Sequence, residues 1–272
     1  MRLGLAQIAC KWGDVEGNLR RHERMMARAR RVGADVVLFP ETSVHGLWKD
    51  HLVRLAAEPV DGPIARRLGA LARQHGVAVG FGLAEKTPGK PHNAYVVLDR
   101  RGRRLAVHRK NHPTPLESTY YRAHARRPVF VLDGVRAGIG ICADCHQAGF
   151  LAGYARRGVR LVLMPHAWDA DPVLKSGQPA GWPSIEVMVD AFARGRVARF
   201  RDHDEMLASF LDKLQPTCAR LGLAAAFVNQ VGQPHPLIPF AGPSFALGPD
   251  GATVAASRSG KPGLLLADLD LG

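Results

Sequence analysis

Short apolar runs alternate with amphipathic stretches through most of the chain, a pattern that predicts strands connected by helices. The first run predicts a strand over residues 2 to 8. Asp14 can cap the helix that follows, in which Leu19, His22, Met25, Met26 and Ala29 recur at helical spacing before Gly33 ends it. A strand from Val36 to Phe39 then delivers Glu41 at its carboxyl end. A helix from about Ile64 to Gln74 precedes strands at Val77 to Leu83, Ala94 to Asp99 and Leu105 to Arg109, with Asp99 to Gly102 as a turn and Lys110 where the last strand stops. Strands at Val129 to Leu132 and Ala137 to Cys142, a helix at Gln147 to Arg157 and a strand at Leu161 to Met164 continue the rhythm. Pro172, Pro179 and Pro183 break it, so residues 169 to 204 read as a long loop with short helical pieces. Beyond it come a helix at Glu205 to Leu221, a strand at Ala224 to Val231, and a β meander over Ser244 to Leu247, Thr253 to Ala256 and Leu264 to Leu269.

Mixed β-α and β-β connections favour helices packed outside sheets that face each other or form one large core. With no internal repeat or linker, residues 1–272 read as a single domain. Hydrophobic residues at 46% and charged residues at 22% are enough for a sizeable core. The net charge of +13 raises nucleic acid as a partner. Its distribution argues against one: ten Lys or Arg between Arg100 and Arg136 face only Glu117 and Asp133, without the interleaved aromatics of a base-stacking platform. The amino terminus lacks a signal-peptide pattern and no run approaches about 18 apolar residues, so the expectation is a cytoplasmic chain with no membrane partner. Four cysteines, at 10, 142, 145 and 218, are too few and too unevenly spaced for a disulfide framework.

Three polar residues stand just past apolar strands: Glu41 in Leu-Phe-Pro-Glu-Thr, Lys110 in His-Arg-Lys-Asn-His, and Cys142 in Gly-Ile-Gly-Ile-Cys-Ala-Asp. Strand ends are where sheet proteins commonly build sites. Each residue alone is ordinary, as solvated charge or core thiol. Cys142-Ala-Asp-Cys145-His146 also fits the haem-attachment spacing, and its cysteine pair the redox C-x-x-C. Haem attachment belongs to exported chains, a redox pair opens a helix in a smaller domain, and zinc needs a second ligand cluster that this chain lacks. The expectation is therefore no cofactor and no metal.

Taken together, the three contexts resemble the nitrilase, or carbon–nitrogen hydrolase, superfamily. The resemblance runs nearly end to end, through the opening Leu-Ala-Gln, Asp35 to Pro40, Leu163-Met-Pro-His-Ala-Trp168, Phe227-Val-Asn-Gln-Val-Gly232 and Gly242-Pro-Ser-Phe-Ala246. It implies an α/β fold, a four-layer αββα sandwich, with Glu41, Lys110 and Cys142 as catalytic triad, the Ala143 N–H as oxyanion donor and Glu117 as a supporting carboxylate. Such chemistry suits these residue types, because an amide carbonyl needs an activated nucleophile, an oxyanion donor and a proton for the departing nitrogen. Lys110 and the positive end of the helix after Cys142 are expected to lower the thiol pKa. His112, Tyr120, Cys145, His146, His166 and Trp168 are candidates for the substrate pocket, although Cys145, one turn past the nucleophile, suits packing as well.

The expected reaction is hydrolysis of a non-peptide amide or N-carbamoyl bond of a small molecule through a Cys142 thioester. A nitrilase or an amide-forming acyltransferase is the alternative, and a nucleic-acid binder on this fold a third. Lys110-Asn-His-Pro, Glu117 to Tyr121 and Pro128-Val-Phe130 are locally similar to the N-carbamoyl amidase branch that includes β-ureidopropionase. Ala-Asp-Cys-His-Gln, after the nucleophile, departs from the arginine-bearing segment that carbamoyl amino-acid and ω-amidase branches use for a substrate carboxylate, so either the substrate is neutral or Arg122, Arg194 or Arg196 replaces that arginine from a loop. The 169–204 segment, with Trp168, Trp182 and Phe192 in or beside it, is expected to form a lid or an oligomer contact. The resemblance also implies a homo-oligomer, a dimer or larger.

Overall fold

A computed structural model of the chain describes residues 1–46, 52–176, 190–191, 193–235 and 238–272. Its strands are β1 (Arg2–Gln7), β2 (Val36–Leu38), β3 (Ala78–Glu85), β4 (His92–Leu98), β5 (Arg104–Arg109), β6 (Val129–Leu132), β7 (Val135–Ile139), β8 (Leu161–Pro165), β9 (Pro172–Leu174), β10 (Val197–Phe200), β11 (Ala224–Val228), β12 (Val231–His235), β13 (Ile238–Ala241), β14 (Phe245–Leu247), β15 (Thr253–Ala256) and β16 (Gly263–Asp268). The helices are α1 (Val15–Arg31), α2 (Val53–Ala56), α3 (Pro63–His75), α4 (Glu117–Tyr120), α5 (Phe150–Ala155) and α6 (His203–Leu221).

Two six-stranded sheets dominate, one ordered β16-β1-β2-β3-β4-β5 and the other β15-β14-β11-β8-β7-β6. Strand side chains alternate between faces, and the central strands of both sheets are buried on both faces. Leu3, Leu5, Val36 and Leu38 of the first sheet meet Ile139, Leu161, Leu163 and Ala226 of the second in one shared core. The opposite face of the first sheet, with Val37, Phe39, Val79 and Phe81, packs on Leu19 and Met26 of α1 and Leu68 and Leu71 of α3. Val162, Met164 and Phe227, on the outer face of the second, pack on Leu151 of α5 and Met206, Phe210 and Leu214 of α6. The result is the expected helix–sheet–sheet–helix order.

Local sequence accounts for most element ends. The Asp14 side chain accepts the Gly17 N–H at the start of α1, Pro63 opens α3, and Gly76 closes it in the left-handed region. Asp202 and Glu205 cap α6 reciprocally. Among the described residues no helix is long and apolar enough to cross a membrane.

Three expectations are corrected. The chain's last strands are not one meander: β14 and β15 pair in the second sheet, whereas β16 crosses to the first and runs antiparallel to β1. The strand expected over Ala224 to Val231 ends at Val228, and Val231 opens a second strand, β12, which pairs antiparallel with β13 in a Pro-rich stretch whose prolines weaken the strand pattern. The described ends of the 169–204 segment pair as the antiparallel ribbon β9–β10 rather than lying in open loop. Residues 177–189, with Trp182, and Phe192 lie outside the described residues.

Candidate functional site

The topology gathers one edge of both sheets. β1, β2 and β3 are mutually parallel, and β5 is antiparallel to β4, itself antiparallel to β3, so β2 and β5 end at the same edge. β7, β8 and β11 are likewise parallel. The Glu41 N–H donates across the gap to the His166 carbonyl at 3.3 Å, which brings the two edges together. Past these ends stand Glu41, Lys110, Cys142 and His166.

Pro40, which has no N–H to donate, stops β2 and turns the chain into a tight bend in which Thr42 has a φ of 46°. The bend lies against Gly82 of β3, where an added Cβ would stand 2.2 Å from the Thr42 nitrogen. Glu41 is 1% exposed. Its Oε1 accepts hydrogen bonds from the Lys110 Nζ and the Asn93 Nδ2, both at 2.7 Å, and its Oε2 accepts from the Ala167 N–H at 2.8 Å. The Gln230 side chain donates to the Glu41 carbonyl at 3.0 Å. Lys110, equally buried, also reaches both oxygens of Glu117 at 2.9 and 2.8 Å. Glu117, at 2% exposure, is part of a buried ion cluster and not of a surface salt bridge.

Burying three charges is costly unless they are paired and hydrogen-bonded. Burial pushes the Glu41 pKa up, and the Lys110 charge only partly offsets this. For Lys110 burial works downward, but the Glu117 and Glu41 carboxylates outweigh it and hold the ammonium well above its usual range. Cys142 follows β7 at a φ of 47°, an unusual conformation for a side chain with a Cβ. Its thiol is raised well above the ordinary range by burial and then by Glu41, with Lys110 opposing. The expected thiol-lowering helix is also absent: Cys142–His146 is a single 3-10 turn, and α5 does not begin until Phe150. Ala143 lies in the first turn of this short helix, where backbone N–H groups lack an intrahelical acceptor.

The remaining predicted residues divide. His146 and His166 meet, Nε2 to Nε2, at 3.3 Å, with the Trp168 ring edge-on to His146. Cys145, His146 and Trp168 line a cleft of about 470 Å³ together with Lys213 and Thr217 of α6. The Cys145 thiol itself is turned to the Gly140 carbonyl, 3.1 Å away, within the outer core. His112 stands apart from the ion cluster, half-exposed and bonded through Nδ1 to Asp144. Tyr120 packs against Val53, Ala57 and Tyr121. Among the described residues no group of three or more His, Cys, Asp or Glu side chains is placed to hold a metal ion.

Sequence reasoning missed Asn93 and Asp144. Asp144 is wholly buried and accepts from the N–H groups of Ile141, Asn111 and His112 and from the His108 Nε2, at 2.8 to 3.1 Å. It fastens the Cys142 turn to the segment after Lys110. Asn93 left a faint signal as an amide inside an apolar strand, and Asp144 as an acid two residues past the cysteine; neither has a periodicity that marks it.

A family model described as carbon–nitrogen hydrolase matches residues 2–186. A Mycobacterium tuberculosis hydrolase is 27% identical over all of this chain and 90% of its own length. An (R)-stereoselective amidase of a Pseudomonas species is 30% identical over 63% of this chain and 62% of that one. The bovine ω-amidase is 29% identical over 68% of each. Among solved structures, an amidase from Nesterenkonia superposes with a TM-score of 0.76 over 99% of this chain and 93% of its own at 23% identity, a likeness of fold.

Proposed function

The chain belongs to the carbon–nitrogen hydrolase family, whose enzymes act on non-peptide bonds, and from that premise we propose that it cleaves an amide or N-carbamoyl bond of a small neutral molecule through a thioester on Cys142. The observation that carries this reading is the buried Glu41–Lys110–Glu117 cluster, whose charges act on the Cys142 thiol. As the sulfur attacks the carbonyl carbon, its proton passes to the Glu41 carboxylate, which burial has made a stronger base. Lys110 and the Ala143 N–H hold the oxyanion; one such donor is worth roughly 3 kcal/mol of barrier. Glu41 then protonates the departing nitrogen as the carbon–nitrogen bond breaks. In the second half, Glu41 takes a proton from water, hydroxide adds to the thioester, and the carbon–sulfur bond breaks with the proton returned to sulfur. Glu117 keeps Lys110 charged and aimed.

A neutral substrate is supported by the residue four places past Cys142. His146 has its pKa pushed down to about 4, by burial and then by the nearby Lys213 charge, so the imidazole itself offers no cation to a substrate carboxylate at neutral pH, and the cation lining that cleft beside it is Lys213 of α6. The Pseudomonas relative is named as an amidase, and the Nesterenkonia amidase has been seen with butyramide, a simple neutral amide. A single catalytic domain over 1–272 is part of the same reading, since Leu3 and Leu5 share the core with Leu269 and Leu271. Intact-mass measurement after incubation with a panel of aliphatic amides and carbamoyl compounds tests the mechanism. An acyl adduct on the wild type, with ammonia release and none from Cys142→Ala, is expected; turnover by Cys142→Ala would refute it.

A further inference from the structure

We propose that His146 and His166 form a positioning pair that couples the turn carrying Cys142 to the segment that grips Glu41. The inference rests on the catalytic reading above and concerns how two of its groups, on different sheets, are kept in register.

The hydrogen-bonding pattern fixes the protons. The His166 Nδ1 lies 3.0 Å from the Met164 carbonyl, which can only accept, so Nδ1 carries the proton. His166 is wholly buried and held neutral by burial, leaving its Nε2 with a lone pair. The His146 Nε2, 3.3 Å away, must then be the donor. A directional chain therefore runs from the Cys142–His146 turn through the two rings to β8.

At its far end the chain reaches Glu41 through the backbone. The His166 carbonyl accepts the Glu41 N–H, and the next N–H, that of Ala167, donates to the Glu41 Oε2 at 2.8 Å. The His166 ring has little freedom of its own, because it stacks on Phe227 with centroids 3.8 Å apart. A shift of the cysteine turn is thus transmitted to the carboxylate's donor. The charged and titratable groups acting on this pair are Lys213 from α6 and Lys110. Those acting on Glu41 are Lys110 and Glu117.

The test compares His146→Leu, which removes the donor, His146→Asn, which keeps polarity but is too short to reach His166, and His146→Gln, whose amide N–H can occupy the Nε2 position. Loss of one such bond is expected to lower kcat about tenfold in the Leu and Asn variants. Because the Ala167 N–H stabilises the Glu41 carboxylate, loosening it also moves the acidic limb of the kcat/KM profile to higher pH. Gln is expected to restore both toward wild type. Wild-type kcat and an unmoved limb in both Leu and Asn, or a Gln variant as impaired as Leu, overturns the pairing. Cys142→Ala is run alongside: if it retains activity, the catalytic reading itself fails, whereas an inactive Cys142→Ala beside an unaffected His146→Leu refutes the pair alone.

Discussion

Gly82→Ala adds one methyl group to β3, beneath the bend that carries Glu41, and is expected to cost much of the activity. The new Cβ would stand 2.2 Å from the Thr42 nitrogen and 2.9 Å from the Glu41 carbonyl carbon, both backbone atoms that no rotamer change can move aside. Restoring an ordinary contact of 3.4 Å displaces the bend by roughly 1.2 Å. Glu41 moves with it, away from partners at 2.7 and 2.8 Å. A misplacement of about 1 Å can cost on the order of 100-fold in rate, or about 2.7 kcal/mol of barrier. Overpacking adds about 1–3 kcal/mol of lost stability, reversing the gain that a Gly-to-Ala change gives where the backbone has room. Ammonia release measured against amide concentration gives kcat/KM, and a thermal melt gives stability. A Gly82→Ala protein with wild-type kcat/KM and an unchanged Tm would show that the bend is not set by this contact.

Other substitutions probe the remaining supports. Cys145→Ser is expected to keep kcat within about threefold of wild type, since it retains a donor to Gly140 and a lost weak bond is worth well under 1 kcal/mol; inactivation on the scale of Cys142→Ala would assign the nucleophile to the wrong cysteine. Glu117→Gln removes a negative charge that raises the Cys142 thiol, so alkylation by iodoacetamide should reach its half-maximal rate at lower pH than in wild type. Asp144→Asn leaves buried donors unmatched and is expected to lower unfolding free energy by about 3 kcal/mol in urea titration. Burial works to raise Asp144, but the hydrogen bond and charge of His108, the Lys110 charge and the His112 N–H together outweigh it, and the folded pKa lies below the ordinary value of 3.8. Its stabilisation is therefore complete above the unfolded carboxylate value and lost as pH falls through the lower folded one, so melts from pH 6 down to pH 3 should fall more steeply for wild type than for Asp144→Asn.

How far the chain could be read depended on the range of the interactions. Asp14 and Gly33 mark the bounds of the first helix because a cap acts within one turn, and short apolar runs set the strands because a strand buried on both faces reads as a continuous hydrophobic stretch. That Glu41, Lys110 and Cys142 stand at one edge was legible because each follows an apolar strand, and strands that run the same way deliver their ends to one edge. The path of β16 to the first sheet was not legible, since Leu264 to Leu266 would suit either sheet. Nor was the direction in which the Cys142 thiol shifts: Lys110 and a following helix suggested a lowered pKa, whereas burial and then Glu41, 101 positions away, raise it against the opposing Lys110 charge. Asn93, Asp144 and the meeting of His146 with His166 belong to the same class. Sequence determined the elements and the chemical groups at their ends; burial, proton placement and register between the two sheets arise only when residues far apart in the chain share a space that water has left.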